Sequence, residues 1–150
     1  MRINVPFERF VTNDNCTAIL QWNPNFQSNW ERRYERVQRF VDSEVIRLCD
    51  PYTPFYTGML KRSAILGTVI GKGEVIWNMP YAKYLYYGVL MVSPITGSSW
   101  AKLGERKILT EKQLSFNGAP KRGKMWFERM KSDHKDKIIS GARRIMGGLV

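Results

Sequence analysis

Residues 51–88 read PYTPFYTGMLKRSAILGTVIGKGEVIWNMPYAKYLYYG, and the spacing of their prolines, glycines and aromatics decides how the chain must fold. Pro51 and Pro54 bracket one turn, Thr57-Gly58 marks a second step, Gly71-Lys72-Gly73 offers a tight connection, and residues 81–87 are rich in tyrosine. Proline fixes φ and glycine admits positive φ, so the stretch specifies backbone geometry. An aromatic cluster on a short element supplies contact area at small entropic cost. No catalytic set of residue types lies here. The stretch reads as shape and surface.

Two apolar runs flank the glycines. Residues 63–70 (SAILGTVI) and 74–79 (EVIWNM) predict two strands, with Gly71-Lys72-Gly73 as the hairpin loop between them. Both runs are apolar on both faces, so the 63–79 hairpin is expected at the centre of a small antiparallel sheet, covered on two sides. Pro80 suits the first turn of a short helix and Gly88 its C-cap. Between them Tyr81, Tyr84, Tyr86 and Tyr87 radiate around a helix too short to bury all four. Some of these tyrosines should face a partner or a neighbouring loop.

Upstream, apolar residues recur at Trp30, Tyr34, Val37, Val41, Val45 and Leu48, a spacing of three and four that predicts a helix over 28–49. Ser28 or Asn29 can cap it, and Asp50-Pro51 ends it. Arg32, Arg33, Arg36 and Arg39 lie largely off its apolar stripe. Residues 16–22 (CTAILQW) predict one short strand before the Asn23-Pro24-Asn25 break. Downstream, 92–104 is loop-like, one or two weak strands are expected in 107–116, and 117–120 (NGAP) is a turn. A second long helix is expected over 124–146, with Trp126, Phe127, Met130, His134, Ile138, Ala142 and Ile145 on one side. The expected architecture is α+β: a small antiparallel sheet with a central hairpin, packed on two long helices and a short one.

The 150 residues suit a single domain over 1–150, with 1–25 as an N-terminal extension or edge strand. A 43% hydrophobic content argues against disorder. The first residues, MRINVPFERFV, are too interrupted by charge and proline for a secretion signal. A reducing cytoplasm is therefore expected at synthesis, with Cys16 and Cys49 as buried free thiols. The formal charge of +11 is uneven, with +3 on residues 1–100 and +8 on 101–150. Such a bias suggests an anionic partner, nucleic acid or an acidic protein face, set against the plainer reading of a solubilising surface.

Chemistry is thin. His134 is the single histidine, and it sits one turn from Met130 and Ile138 on an apolar side, where a packed histidine is the favoured reading. The two cysteines form no zinc spacing, the glycines lack the rest of a phosphate-binding loop, and no carboxylate pair stands out. No enzyme, cofactor or metal is expected. For nucleic acid, Lys121-Arg122-Gly123-Lys124 could touch phosphates without reading sequence, yet no DNA-reading motif accompanies it.

Two blocks carry a resemblance. The first is Pro51-Tyr52-Thr53-Pro54 leading into Thr57-Gly58-Met59-Leu60 and Ser63, then Pro80-Tyr81-Ala82-Lys83-Tyr84-Leu85-Tyr86-Tyr87-Gly88. The second is Gly123-Lys124-Met125-Trp126-Phe127-Glu128-Arg129-Met130 and the basic helix behind it. Together they resemble the minor capsid, tail-completion and head–tail joining (neck) proteins of long-tailed bacteriophages, over about residues 30–146. Phe55-Tyr56 departs from the small or acidic residues more usual there. The resemblance implies an α+β fold and a non-catalytic virion protein at the head–tail junction. It implies a homo-oligomeric ring, six-fold by preference, around the DNA conduit. Its neighbours would be portal-connector, tail-terminator or tail-tube proteins.

On that reading the subunit interface falls on Pro51, Tyr52, Thr57, Gly58, Tyr81, Tyr84, Tyr86, Tyr87 and Gly88. Lys121, Arg122, Lys124, Arg143 and Arg144 are the candidates for acidic partners or phosphates, with weak, non-specific contact to passing genomic DNA. The alternative is a small basic nucleic-acid-binding protein without sequence specificity.

Overall fold

A computed structural model describes residues 9–13, 16–116 and 118–147. Along the chain run β1 (Arg9–Asn13), β2 (Cys16–Leu20), α1 (Phe26–Cys49), α2 (Met59–Gly67), α3 (Ala82–Tyr87), β3 (Val89–Val92), β4 (Ile108–Gln113) and α4 (Trp126–Gly147). The fold is α+β, with the two long helices where the helical periodicity put them. Residues 1–8, 14–15, 117 and 148–150 and the side chains of 9–13 and Cys16 lie outside the described residues, and with them part of the N-terminal and 117–120 readings.

The two long helices α1 and α4 pack on each other. The crossing is close at Gly141, where a Cβ would come within 2.4 Å of the Phe40 ring. A glycine in a helix interior loses conformational entropy; here it makes room for an aromatic from the facing helix. The core forms at one end of this pair. Leu48 and Cys49 from α1, Leu60 from α2, Ala82 from α3, and Trp126 and Met130 from α4 close around Tyr52. Trp126 is the keystone, edge-on to Tyr86 at 4.7 Å and to Trp77 at 5.7 Å.

Residues 63–79 do not form the expected hairpin. Residues 63–67 belong to α2, and 74–79 form no strand. The sheet is instead supplied at two other places: β1 pairs antiparallel with β2, and β3 with β4. The physical reason is visible in composition. Met, Leu, Lys, Arg and Ala are strong helix formers, and Leu60, Ser63, Ala64 and Gly67 follow helical spacing and face inward. At Gly67 a Cβ would meet the Ile76 carbonyl oxygen at 2.9 Å, so the 74–79 segment is laid directly over the end of α2.

The glycine loop keeps its sharp turn, held by a different device. Asp42, buried on α1, accepts the Gly71 N–H at 2.7 Å, the Gly73 N–H at 3.1 Å and Gln38 Nε2 at 2.8 Å. Gly71 and Gly73 have φ of 103° and 80°, which disfavour a side chain. Thr68 adds a tie by accepting the Ile76 N–H at 3.0 Å through its hydroxyl. The loop is therefore clamped to α1, and it carries the chain from α2 to α3. There Gly88 caps α3 at φ 69°, its N–H bonded to the Tyr84 carbonyl, as the sequence predicted.

Candidate interaction surface

The turn after α1 is knitted into the fold. Thr53 Oγ1 donates to the Cys49 carbonyl at 2.8 Å, and Arg122 Nη1 donates to the Thr53 carbonyl at 2.8 Å. Gly123 N–H reaches the Tyr52 carbonyl at 3.1 Å, and Met125 N–H reaches the Tyr86 carbonyl at 2.8 Å. The two sequence blocks that carry the resemblance thus meet in space. The Tyr52 hydroxyl donates to Asp133 Oδ2 at 2.5 Å and sits 3.2 Å from His134 Nε2. The Asp133 bond, and burial after it, hold the Tyr52 phenol above its ordinary value. His134 is a packed residue here, on the Tyr52 ring edge.

Of the expected interface residues, Tyr52 and Gly88 are buried within the chain. Tyr86 is committed to Trp126, and Tyr84 lies half-buried beneath the Lys107 ammonium. Tyr81 is half-buried at the core's edge. Pro51, Thr57 and Tyr87 are exposed and Gly58 half-buried at φ 81°. A shallow apolar groove runs beside them, lined by Phe55, Met59, Tyr81, Leu85 and Phe116.

Of the cations, Lys121 lies over the Tyr52 ring and Arg122 over Phe55, at 5.4 and 5.0 Å. Arg122 is therefore a structural tie, placed to hold the turn at 53. Lys124 donates to Gln113 Oε1 at 3.1 Å. Arg143 and Arg144 are exposed near the end of α4.

Larger apolar surfaces lie elsewhere, where sequence reasoning did not look. The outward stripe of α2 carries Met59, Ile65 and Leu66, the last 84% exposed, and Val69 and Ile70 extend it. Lys61 and the exposed Arg62 share the outer side of α2, yet Met59, Ile65 and Leu66 stay uncovered there. The second surface is the 93–107 connection between β3 and β4, which presents Ile95, Trp100 and Leu103 with 83% or more of each exposed.

That connection is built. The buried Ser93 hydroxyl bonds Glu105 and accepts the N–H groups of Ile95 and Thr96 at 3.2 and 3.1 Å. Lys102 N–H donates to Glu105 Oε2 at 3.0 Å. These bonds hold the Glu105 carboxyl below the usual range, the Ser93 bond first. The signal for both surfaces was in the sequence, as apolar residues beyond what one small core can bury.

Among the described residues no group of three or more metal-ligating side chains converges, and no helix is long and apolar enough to cross a membrane. Burial pushes the Cys49 thiol up to about 12, which suits an inert core residue. Comparison with known families, curated proteins and solved structures returned no match.

Proposed function

We propose that the chain is a non-catalytic structural protein of a bacteriophage neck, a ring subunit that joins the head connector to the tail around the DNA conduit. The observation that carries this reading is the amount of large apolar surface left uncovered on a well-tied chain. Ile65, Leu66, Ile95, Trp100 and Leu103 are each 65% or more exposed. Exposed patches of this kind mark protein–protein contacts. The resemblance in residues 51–88 and 123–130 gives those contacts an identity, and the two blocks meet through the Tyr52–Gly123 and Tyr86–Met125 bonds.

The basic surface fits the same role. Arg122 is tied into the fold, while Lys121, Lys124, Arg143 and Arg144 are exposed and suited to docking on acidic neighbours. DNA sliding through a neck must not be gripped, and a strongly cationic lumen would hold phosphates by counterion release. Mass spectrometry of purified phage particles tests the proposal. The protein should be present at the few copies per particle that one ring requires. Its absence from particles, together with tight salt-dependent DNA binding by the free chain, would favour the nucleic-acid-binding alternative.

A further inference from the structure

We infer that the 93–107 arm of one subunit seats on the outward face of α2 of the next, making a head-to-tail contact between copies of this chain. The inference deepens the neck reading and rests on it. Two observations point to a second copy as the occupant. First, two of the uncovered apolar surfaces among the described residues are Ile95, Trp100 and Leu103 on the arm, each 83% or more exposed, and Ile65, Leu66 and Val69 on and just past α2, 59–84% exposed. Together these side chains expose about 1,000 Å², the scale at which an interface becomes specific. Second, the arm is fixed before it binds. Ser93 and Glu105 hold its backbone, so little ordering cost remains to oppose association.

The two surfaces differ in shape. The arm offers three projecting side chains led by a tryptophan, the residue type most enriched at binding hot spots. The α2 surface is a helix side on which the exposed Arg62 neighbours Ile65 and Leu66, and its buried side, Leu60, Ser63 and Ala64, is anchored in the core. A contact between two unlike patches is heterologous, and heterologous contacts propagate into rings or open chains. The arm leaves β3 and returns into β4, so both its ends are rooted in that antiparallel pair.

Complementation between variants tests this. Trp100→Asp damages the arm and Leu66→Asp damages the stripe; both residues are exposed, so both variants should fold with wild-type circular dichroism. Each alone should weaken self-association at least about 100-fold in sedimentation equilibrium, because a carboxylate would have to be buried unpaired. Mixed one to one, the two variants should form dimers that grow no further, since each supplies the surface the other lacks. Should either aspartate variant unfold, Trp100→Ser and Leu66→Ser replace them with the same expectation and smaller effect. Single variants that associate like wild type, or a mixture that stays monomeric, overturn the inference. A wild-type chain monomeric at every attainable concentration overturns it too. The neck reading stands apart from these outcomes, because it is judged by the presence of the protein in particles.

Discussion

Replacing Asp42 with alanine should loosen the 68–79 segment and destabilise the whole chain. The carboxylate is buried and accepts two backbone N–H groups and one side-chain amide, at 2.7, 3.1 and 2.8 Å. Hydrogen bonds to a charged acceptor are worth about 1.5–3 kcal/mol each. The glycine loop itself is exposed, so water can satisfy part of what the variant loses, and the net cost falls below the sum of the three bonds. The expected loss is about 2–4 kcal/mol, or a fall of about 6–12 °C in Tm for a domain of this size.

Asp42→Asn sharpens the case. An amide oxygen can still take both glycine N–H groups, while Gln38 turns its own oxygen toward the new NH₂. Only the charge is lost, and the expected cost is about 1 kcal/mol. Urea titrations followed by far-ultraviolet circular dichroism measure both variants. Gly71→Ala, forced into a left-handed φ of 103°, should be destabilising by about 1–2 kcal/mol. Its cost should also shrink when added to Asp42→Ala, because the clamp is then already open. Asp42→Ala within about 0.5 kcal/mol of wild type, the size of an ordinary surface change, would refute the clamp. So would Asp42→Asn as damaging as alanine.

Trp126→Ala should cost about 3–5 kcal/mol by opening a cavity, whereas Trp126→Phe should cost under about 2 kcal/mol, because the indole Nε1 has no hydrogen-bond partner to lose; chemical denaturation compares the two. The Tyr52 phenol titrates above its ordinary value of 10.0 in the folded chain. Its contribution to stability is therefore complete below pH 10.0 and is lost as the pH rises through the folded value; Tyr52→Phe should flatten that alkaline decline in a stability–pH profile. With its value at about 12, the Cys49 thiol should react with a disulfide reagent at pH 8 only after unfolding, as measured in a Cys16→Ser chain. Native labelling within minutes would show a cysteine less enclosed than described.

Much of the helical frame is legible in the sequence because its signals are local. The stripe from Trp30 to Leu48, the stop at Asp50-Pro51 and the Gly88 cap each depend on a few neighbouring residues, whereas Pro80 lies just before the Tyr81 N-cap and outside the first turn expected for it. The 63–79 region is misread because Ile65, Val69, Ile70, Val75 and Ile76 are β-branched, while the helical spacing of Leu60, Ser63, Ala64 and Gly67 is carried by smaller residues. Nothing local announces Asp42 as the partner of Gly71 and Gly73, 29 and 31 residues away. For the same reason Tyr52 reads as a contact residue. Its position between α4 and two cations is a long-range fact. The arm is missed because an exposed Trp100 and Leu103 in a glycine- and serine-rich loop look like connection until the loop is seen to be tied at Ser93.

The measurement that bears most directly on the neck assignment is a joining assay with a phage in which this gene is inactivated. The account predicts that such a lysate accumulates DNA-filled heads and complete tails that do not join. Adding the purified protein should restore infectious particles, and adding Trp100→Asp protein should not. Normal yields of infectious phage without the protein, or heads and tails that stay separate after wild-type protein is supplied, would contradict it.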